Sequence, residues 1–195
     1  MDRSLIVRIA LLSLLSAVTA VCAAQDRKCR DSSFPEHVPV NGTDLTLNGL
    51  GVRKATFLKI NVYVAALYVT KPTHEAAPLI NSDTQQELIL HFVRDVGVDD
   101  LRKAFHEAFE RDGVDQSVSM KERIAKLNGW LTDMKKGQRL IFLRTPHAGV
   151  QVVVNGTQKG LIEGDDFSRA FVAIWLGATP PNPELKSGLL GGDCE

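Results

Sequence analysis

The sequence predicts an α+β fold in a single domain, and three features lead to it. Strand-like segments come first, two amphipathic helical segments follow, and further strands and a helix close the chain. The pairs Asn41-Gly42 and Asn155-Gly156 each separate two such strands and mark tight two-residue hairpins. One stretch, 61–70, alternates Val62, Val64, Ala66 and Tyr68 with Tyr63, Ala65 and Leu67, so both faces are apolar or aromatic. A strand of that kind is covered on both sides.

Taken in order, residues 25–35 are polar and turn-rich and read as a mobile lead-in held by Cys29. Strands are expected at 37–40 and 43–47 around the first hairpin, then at 52–58 and 61–70, with Asn48-Gly49-Leu50-Gly51 as a turn between them. Another strand is expected at 88–94. From Val98 the apolar residues Leu101, Phe105 and Ala108 recur at helical spacing. Met120, Ile124, Leu127, Leu131 and Met134 make a second, cleaner stripe, predicting a helix over 119–134. Strands return at 139–144, 150–154 and 157–162. Asp165 or Asp166 then caps a helix that runs to Leu176 and stops at Gly177, and Pro180, Pro181 and Pro183 lead into a short helical tail at 185–190. No internal repeat divides the chain. Asn41-Gly42-Thr43 and Asn155-Gly156-Thr157 match the glycosylation sequon, but Asn-Gly on a hairpin has a purely conformational reason to occur.

The N-terminus has the layout of an export signal. Arg3 and Arg8 supply positive charge, residues 9–21 are apolar or small, and Cys22-Ala23-Ala24 resembles a cleavage site. The apolar run is shorter than the roughly 20 residues a membrane span needs. The alternatives are a buried core helix, set against the abrupt polarity after Gln25, and a lipoprotein acylated at Cys22, to which the bulky Val21 is poorly suited. The expected organisation is therefore a signal peptide at 1–24 and a soluble periplasmic or secreted domain at 25–195. Cleavage lowers basic residues from 23 to 21 and acidic ones from 23 to 22, a net charge of about −1. With no basic stripe interleaved with aromatics, nucleic acid is not an expected partner. Cys29 and Cys194 remain in the mature chain. In an oxidising compartment two cysteines read as one disulfide, the alternative being two free thiols.

General searches for chemistry return little. There is no Gly-rich phosphate loop, no His-Glu-x-x-His and no Gly-x-Ser-x-Gly. No metal cluster and no cofactor is expected. Asp99-Asp100 and Asp165-Asp166 fall at helix starts, where carboxylates complement the helix dipole, and His91 lies in an apolar strand. The more pointed feature is Gly49-x-Gly51-x-Arg53 followed by Tyr63. An arginine opening an apolar strand is either exposed or matched to an anion, because a buried unpaired charge is costly. Beside a tyrosine hydroxyl it makes a polar end for an apolar cavity, suited to a carboxylate or phenolate. A surface Arg53 and a core Tyr63 are the alternative.

Leu47-Asn48-Gly49-Leu50-Gly51-Val52-Arg53, then Val62-Tyr63-Val64-Ala65-Ala66-Leu67-Tyr68-Val69, resemble the N-terminal half of the chalcone isomerase-like family, most of all its bacterial exported branch. Ile174-Trp175-Leu176-Gly177, with Pro183-Glu184-Leu185-Lys186 and Leu189-Leu190-Gly191 behind it, is similar to that branch's ending, so the resemblance spans 38–191. It implies an open-faced β-sandwich, an antiparallel sheet with helices layered on one face and a ligand cleft between them. In the plant enzymes of that family an Arg binds the substrate oxygens, with a Thr on the next strand and a Tyr at a helix start assisting ring closure. Fatty-acid-binding relatives keep the Arg and place a Tyr at the Thr position. Here Arg53 matches the Arg and Tyr63 carries the binder's Tyr. The helix-start Tyr falls near Leu101, a following Asn near Ala108, and a late Thr or Ser near Ile174, all apolar.

The resemblance therefore implies a protein that binds a small amphipathic carboxylate such as a fatty acid. The alternatives are an isomerase or intramolecular lyase using Arg53 to stabilise an enolate or phenolate oxygen, and a structural or partner-binding protein whose cleft is filled by its own side chains. The cysteine reading has a direct check. Alkylation of the unreduced mature protein leaves its intact mass unchanged if Cys29 and Cys194 are paired; a mass gain reveals free thiols and rejects the pairing.

Overall fold

The computed structural model describes residues 26–55, 58–111 and 117–194. The expected signal peptide, 1–24, lies outside the described residues. The first two strands, β1 (Asp26–Cys29) and β2 (Ser32–Pro35), pair as a small antiparallel hairpin of their own. Seven strands follow in one antiparallel sheet whose spatial order equals their chain order: β3 (His37–Val40), β4 (Thr43–Ala55), β5 (Ile60–Val69), β6 (Gln86–Phe92), β7 (Arg139–Thr145), β8 (Gly149–Val154) and β9 (Thr157–Glu163). The helix α1 (Ala76–Ile80) links β5 to β6, while α2 (Val98–Arg111) and α3 (Val118–Trp130) link β6 to β7. After β9 come α4 (Asp165–Leu176) and α5 (Pro183–Leu189). The α+β reading holds, as a curled sheet with helices on one face. Both Asn-Gly turns form, with positive φ at each Asn and Gly, the twist a tight hairpin requires.

β5 is covered on both sides. Tyr63, Ala65, Leu67 and Val69 face the helices, whereas Val64, Ala66 and Tyr68 face a smaller core built with Cys29 and Phe34 of the β1–β2 hairpin. The N-terminal segment is thus no loose lead-in. Phe34 is fully buried, the Tyr68 hydroxyl donates to Pro35 O at 2.9 Å, and Cys29 is disulfide-bonded to Cys194 with Cα atoms 5.7 Å apart. Apolar burial of this one aromatic ring and a cross-link to the far terminus outweigh the polarity of its neighbours.

Several boundaries differ from the sequence reading. The two strands expected at 43–47 and 52–58 form one, β4, and Asn48-Gly49-Leu50-Gly51 lie inside it rather than in a turn; residues 56–57 lie outside the described residues. Gly49 and Gly51 serve a different purpose. A Cβ on Gly49 would collide with the backbone of Gly188, and one on Gly51 with that of Leu185, so bare strand backbone lets α5 lie directly on β4. Asn48 is the extra residue of a β-bulge, which frees its buried amide to donate to Leu189 O and accept from Thr73 N. The helix expected over 119–134 ends at Trp130. Leu131 is extended, and Met134 exchanges two backbone hydrogen bonds with Val96, so both stay buried without being helical. Gly164, rather than Asp165 or Asp166, is the N-cap of α4; Asp166 instead forms a two-pronged ion pair with Arg123.

Leu127 on α3 is completely buried. Leu127→Ala should lower the unfolding free energy by about 2–5 kcal/mol in denaturant melts; a loss below about 0.5 kcal/mol would be that of a surface position.

Candidate functional site

Strand register brings the two residues singled out from the sequence together. Arg53 on β4 is the direct partner of Tyr63 on β5, and alternation puts both on the helix-bearing face. One residue further the ladder shifts: Arg53 pairs with Tyr63 but Lys54 with Asn61, leaving Val62 unpaired in a bulge. The bulge turns Val62 away from the Val64 face, and it joins the helix-side core. Arg53, Val62 and Tyr63 then line a cavity of about 390 Å³ between the sheet and α2 and α4. That volume falls in the roughly 300–1,000 Å³ range of small-ligand pockets.

The walls are mainly apolar: Leu90 from β6, Leu101, Phe105 and Ala108 from α2, and Ile174 from α4. Exposed side chains of both signs, Arg94, Asp95, Asp100, Glu107 and Arg111, border it on the outer side. Among the described residues no group of His, Cys, Asp and Glu could hold a metal ion. No described helix is long and apolar enough to cross a membrane.

Arg53 and Tyr63 do not bond to each other; each is held by the C-terminal part of the chain. One terminal nitrogen of Arg53, Nη1, donates to Asn182 Oδ1 at 3.0 Å and to Lys54 O. Asn182 Oδ1 also accepts from Lys54 N at 2.9 Å, fixing the amide while the residue serves as the N-cap of α5. Nε and Nη2 of Arg53 meet no acceptor among the described residues, so one edge of the guanidinium stays open for a planar anion. The Tyr63 oxygen accepts from Trp175 Nε1 at 3.0 Å, and its ring meets Phe92 edge-on. Burial pushes the Tyr63 phenol above its ordinary pKa, opposed in part by the Trp175 hydrogen bond and the Arg53 charge. The phenol is therefore neutral and able to donate at ordinary pH.

His91 takes no part. It lies on the opposite face, edge-on to Phe34 and accepting from Arg139 Nε at 3.4 Å, and burial lowers its pKa. Asp99 and Asp165 lie in the first turns of α2 and α4, where Asp99 pairs with Arg102 and Asp165 accepts from the His147 backbone rather than capping its helix. Trp175 entered the sequence reading only as part of the motif Ile174-Trp175-Leu176-Gly177, and neither it nor Asn182 was expected as a site residue. Asn182 carried a readable signal, an Asn directly before Pro183 at a helix start; Trp175 carried none for a site role beyond its place in that motif and on an apolar helix face.

The architecture is that of an open-faced sandwich with a pocket between its layers, polar at one corner and apolar elsewhere. The chain belongs to the chalcone isomerase-like family, whose sequence profile matches residues 26–191. No curated protein matches it in sequence. Among solved structures, the crystal structure of a fatty-acid binding protein from Arabidopsis thaliana superimposes with a TM-score of 0.70, covering 85% of this chain and 96% of that one. At 16% identity that likeness is one of fold.

The buried phenol gives a pH test. Its pKa in the fold lies above the 10.0 of a free tyrosine. The unfolded chain therefore releases this proton first, and stability that is intact below that pH falls as pH rises above it. Tyr63→Phe should remove a slope of up to about 1.4 kcal/mol per pH unit. Denaturant melts of parent and variant on either side of about pH 10 check this; parallel curves would mean that Tyr63 ionises as freely in the fold as out of it.

Proposed function

We propose that this protein binds a small amphipathic carboxylate of the fatty-acid kind, with its head against Arg53 and Tyr63 and its tail along the apolar wall formed by α2 and α4. The observation that carries the reading is the half-buried Arg53 guanidinium, with Nε and Nη2 uncommitted, beside a neutral phenol at the edge of a 390 Å³ cavity. A carboxylate accepts two parallel bonds from such a guanidinium edge and a further one from the phenol. The name of the Arabidopsis neighbour as a fatty-acid binding protein agrees with this.

Binding fits the pocket better than catalysis or a filled cleft. The cavity walls hold Leu101, Ala108 and Ile174 where the resemblance places the enzymes' cooperating polar groups. None of the three can move a proton or orient a water, as ring closure of that kind requires. A cleft filled by the protein's own side chains would leave no space of this size. We also read residues 1–24 as a cleaved export signal and 25–195 as the mature domain, a periplasmic or secreted member of the family's bacterial branch; the Cys29–Cys194 disulfide supports an oxidising location.

Calorimetric titration with medium-chain fatty acids tests the binding. The parent should bind. Arg53→Lys should weaken binding by about 1.5–3 kcal/mol, the scale of a hydrogen bond to a charged group, because lysine cannot reproduce the two-pronged geometry. Tyr63→Phe should cost about 0.5–1.5 kcal/mol, or up to about 3 if the phenol meets the charged oxygen. A parent that binds no acid, or an Arg53→Lys variant that binds equally well, would overturn the reading.

A further inference from the structure

Trp175 is almost wholly buried, packed among Phe105, Phe142 and Phe171, and its indole nitrogen is aimed at Tyr63. An indole N–H can only donate. The Tyr63 oxygen is therefore the acceptor in that bond, and the phenol's own hydrogen must go elsewhere. Among the described residues no acceptor meets it. Both rings line the cavity, so the occupant of the cavity is the partner available to that hydrogen. The other polar groups of this corner are committed in the same sense. Arg53 offers donors only, and the nearby acceptors, Asn182 Oδ1 and Lys54 O, are already used by Arg53 and by the backbone of Lys54. Among the described residues beside Arg53 and Tyr63 the corner thus presents hydrogens, and the carboxylates of Asp95, Asp100 and Glu107 border the cavity on its outer side.

Resting on the binding reading above, we propose that Trp175 is a specificity-determining positioning residue: by filling the acceptor side of Tyr63 it commits the phenol to donate, so the cavity takes a head that only accepts, a carboxylate, over one that must also donate, an alcohol. A carboxylate offers lone pairs to every donor present. A buried alcohol brings one O–H that needs an acceptor, and leaving it unmade costs the alcohol its desolvation. If the indole N–H is removed, the Tyr63 oxygen becomes open to donation from an alcohol, while the phenol loses the contact that orients it toward an acid.

The test compares a medium-chain fatty acid with the alcohol of equal chain length by calorimetry, on the parent, on Trp175→Phe, and on protein carrying benzothienylalanine at position 175. The last keeps the shape of the indole and replaces its N–H with sulfur, so it reports on the hydrogen bond even if the smaller phenylalanine loosens the core. Both substitutions should lower the acid-to-alcohol affinity ratio about fivefold, the effect of one neutral hydrogen bond. The same substitutions made on Tyr63→Phe should leave the ratio unchanged, because Trp175 acts through the phenol. A parent that binds acid while the benzothienylalanine protein keeps the parental ratio overturns this inference alone, as does an equal fall in the Tyr63→Phe background. A parent that binds neither ligand overturns the binding reading itself, and this inference with it.

Discussion

α5 lies on β4 at backbone-to-backbone distance because Gly49 and Gly51 carry no side chain on the face it covers. Much of the polar corner follows from that approach. The β-bulge at Asn48 supplies an amide that ties Leu189 O from one side and Thr73 N from the other, fixing where the helix ends. Its first turn then sets Asn182 beside Arg53, and the chain beyond it carries Cys194 round to Cys29 on the opposite face of the sheet. A side chain at either glycine would lift α5, and Asn182 would move away from the guanidinium with it. The orientation of Arg53 thus depends on a packing contact made elsewhere on the same strand.

The cavity exists because the helical layer is filled unevenly. Toward β7, the rings of Phe105, Phe142, Phe171 and Trp175 lie with centroids 4.5–6.3 Å apart and leave little room. Toward β4, the α2 residues lining the open space include Ala104 and Ala108, whose methyl groups fill little of it. Protein interiors normally close such gaps, since unfilled volume forfeits dispersion contacts. Trp175 stands between the two regions, with its ring in the aromatic cluster and its N–H toward the open side.

Two arginines on the helix-bearing face show what distinguishes a structural cation from one left available. Arg144 is 4% exposed and donates to the carbonyls of Leu79, Ile80 and Ser82 and to Gln86 Oε1, so its terminal nitrogens are held by the chain at the end of α1. Burial lowers its pKa, opposed in part by the charges of Asp165 and Asp83. Arg53 is less buried, commits a single nitrogen among the described residues, and lines a cavity. Charge alone does not separate them; the number of acceptors around each does.

The α+β order, both Asn-Gly hairpins, the doubly covered β5 and the pairing of Arg53 with Tyr63 were legible in the sequence, because each rests on local periodicity, turn chemistry or a short motif. The cysteine count was informative for the same kind of reason, Cys29 and Cys194 being the only two after residue 24. What sequence could not supply were contacts between residues far apart along it. Polar residues 26–35 look like a loop until Phe34 finds the far side of the sheet, and Gly49 and Gly51 look like a turn until α5 arrives on top of them. Helical periodicity continues through Met134, yet two backbone bonds to Val96 end the helix sooner. Trp175 and Asn182 are one more such case: their roles depend on meeting Tyr63 and Arg53 across more than a hundred residues of chain. Local pattern decides which face of an element is apolar; only the packed fold decides which atom stands within 3.0 Å of another.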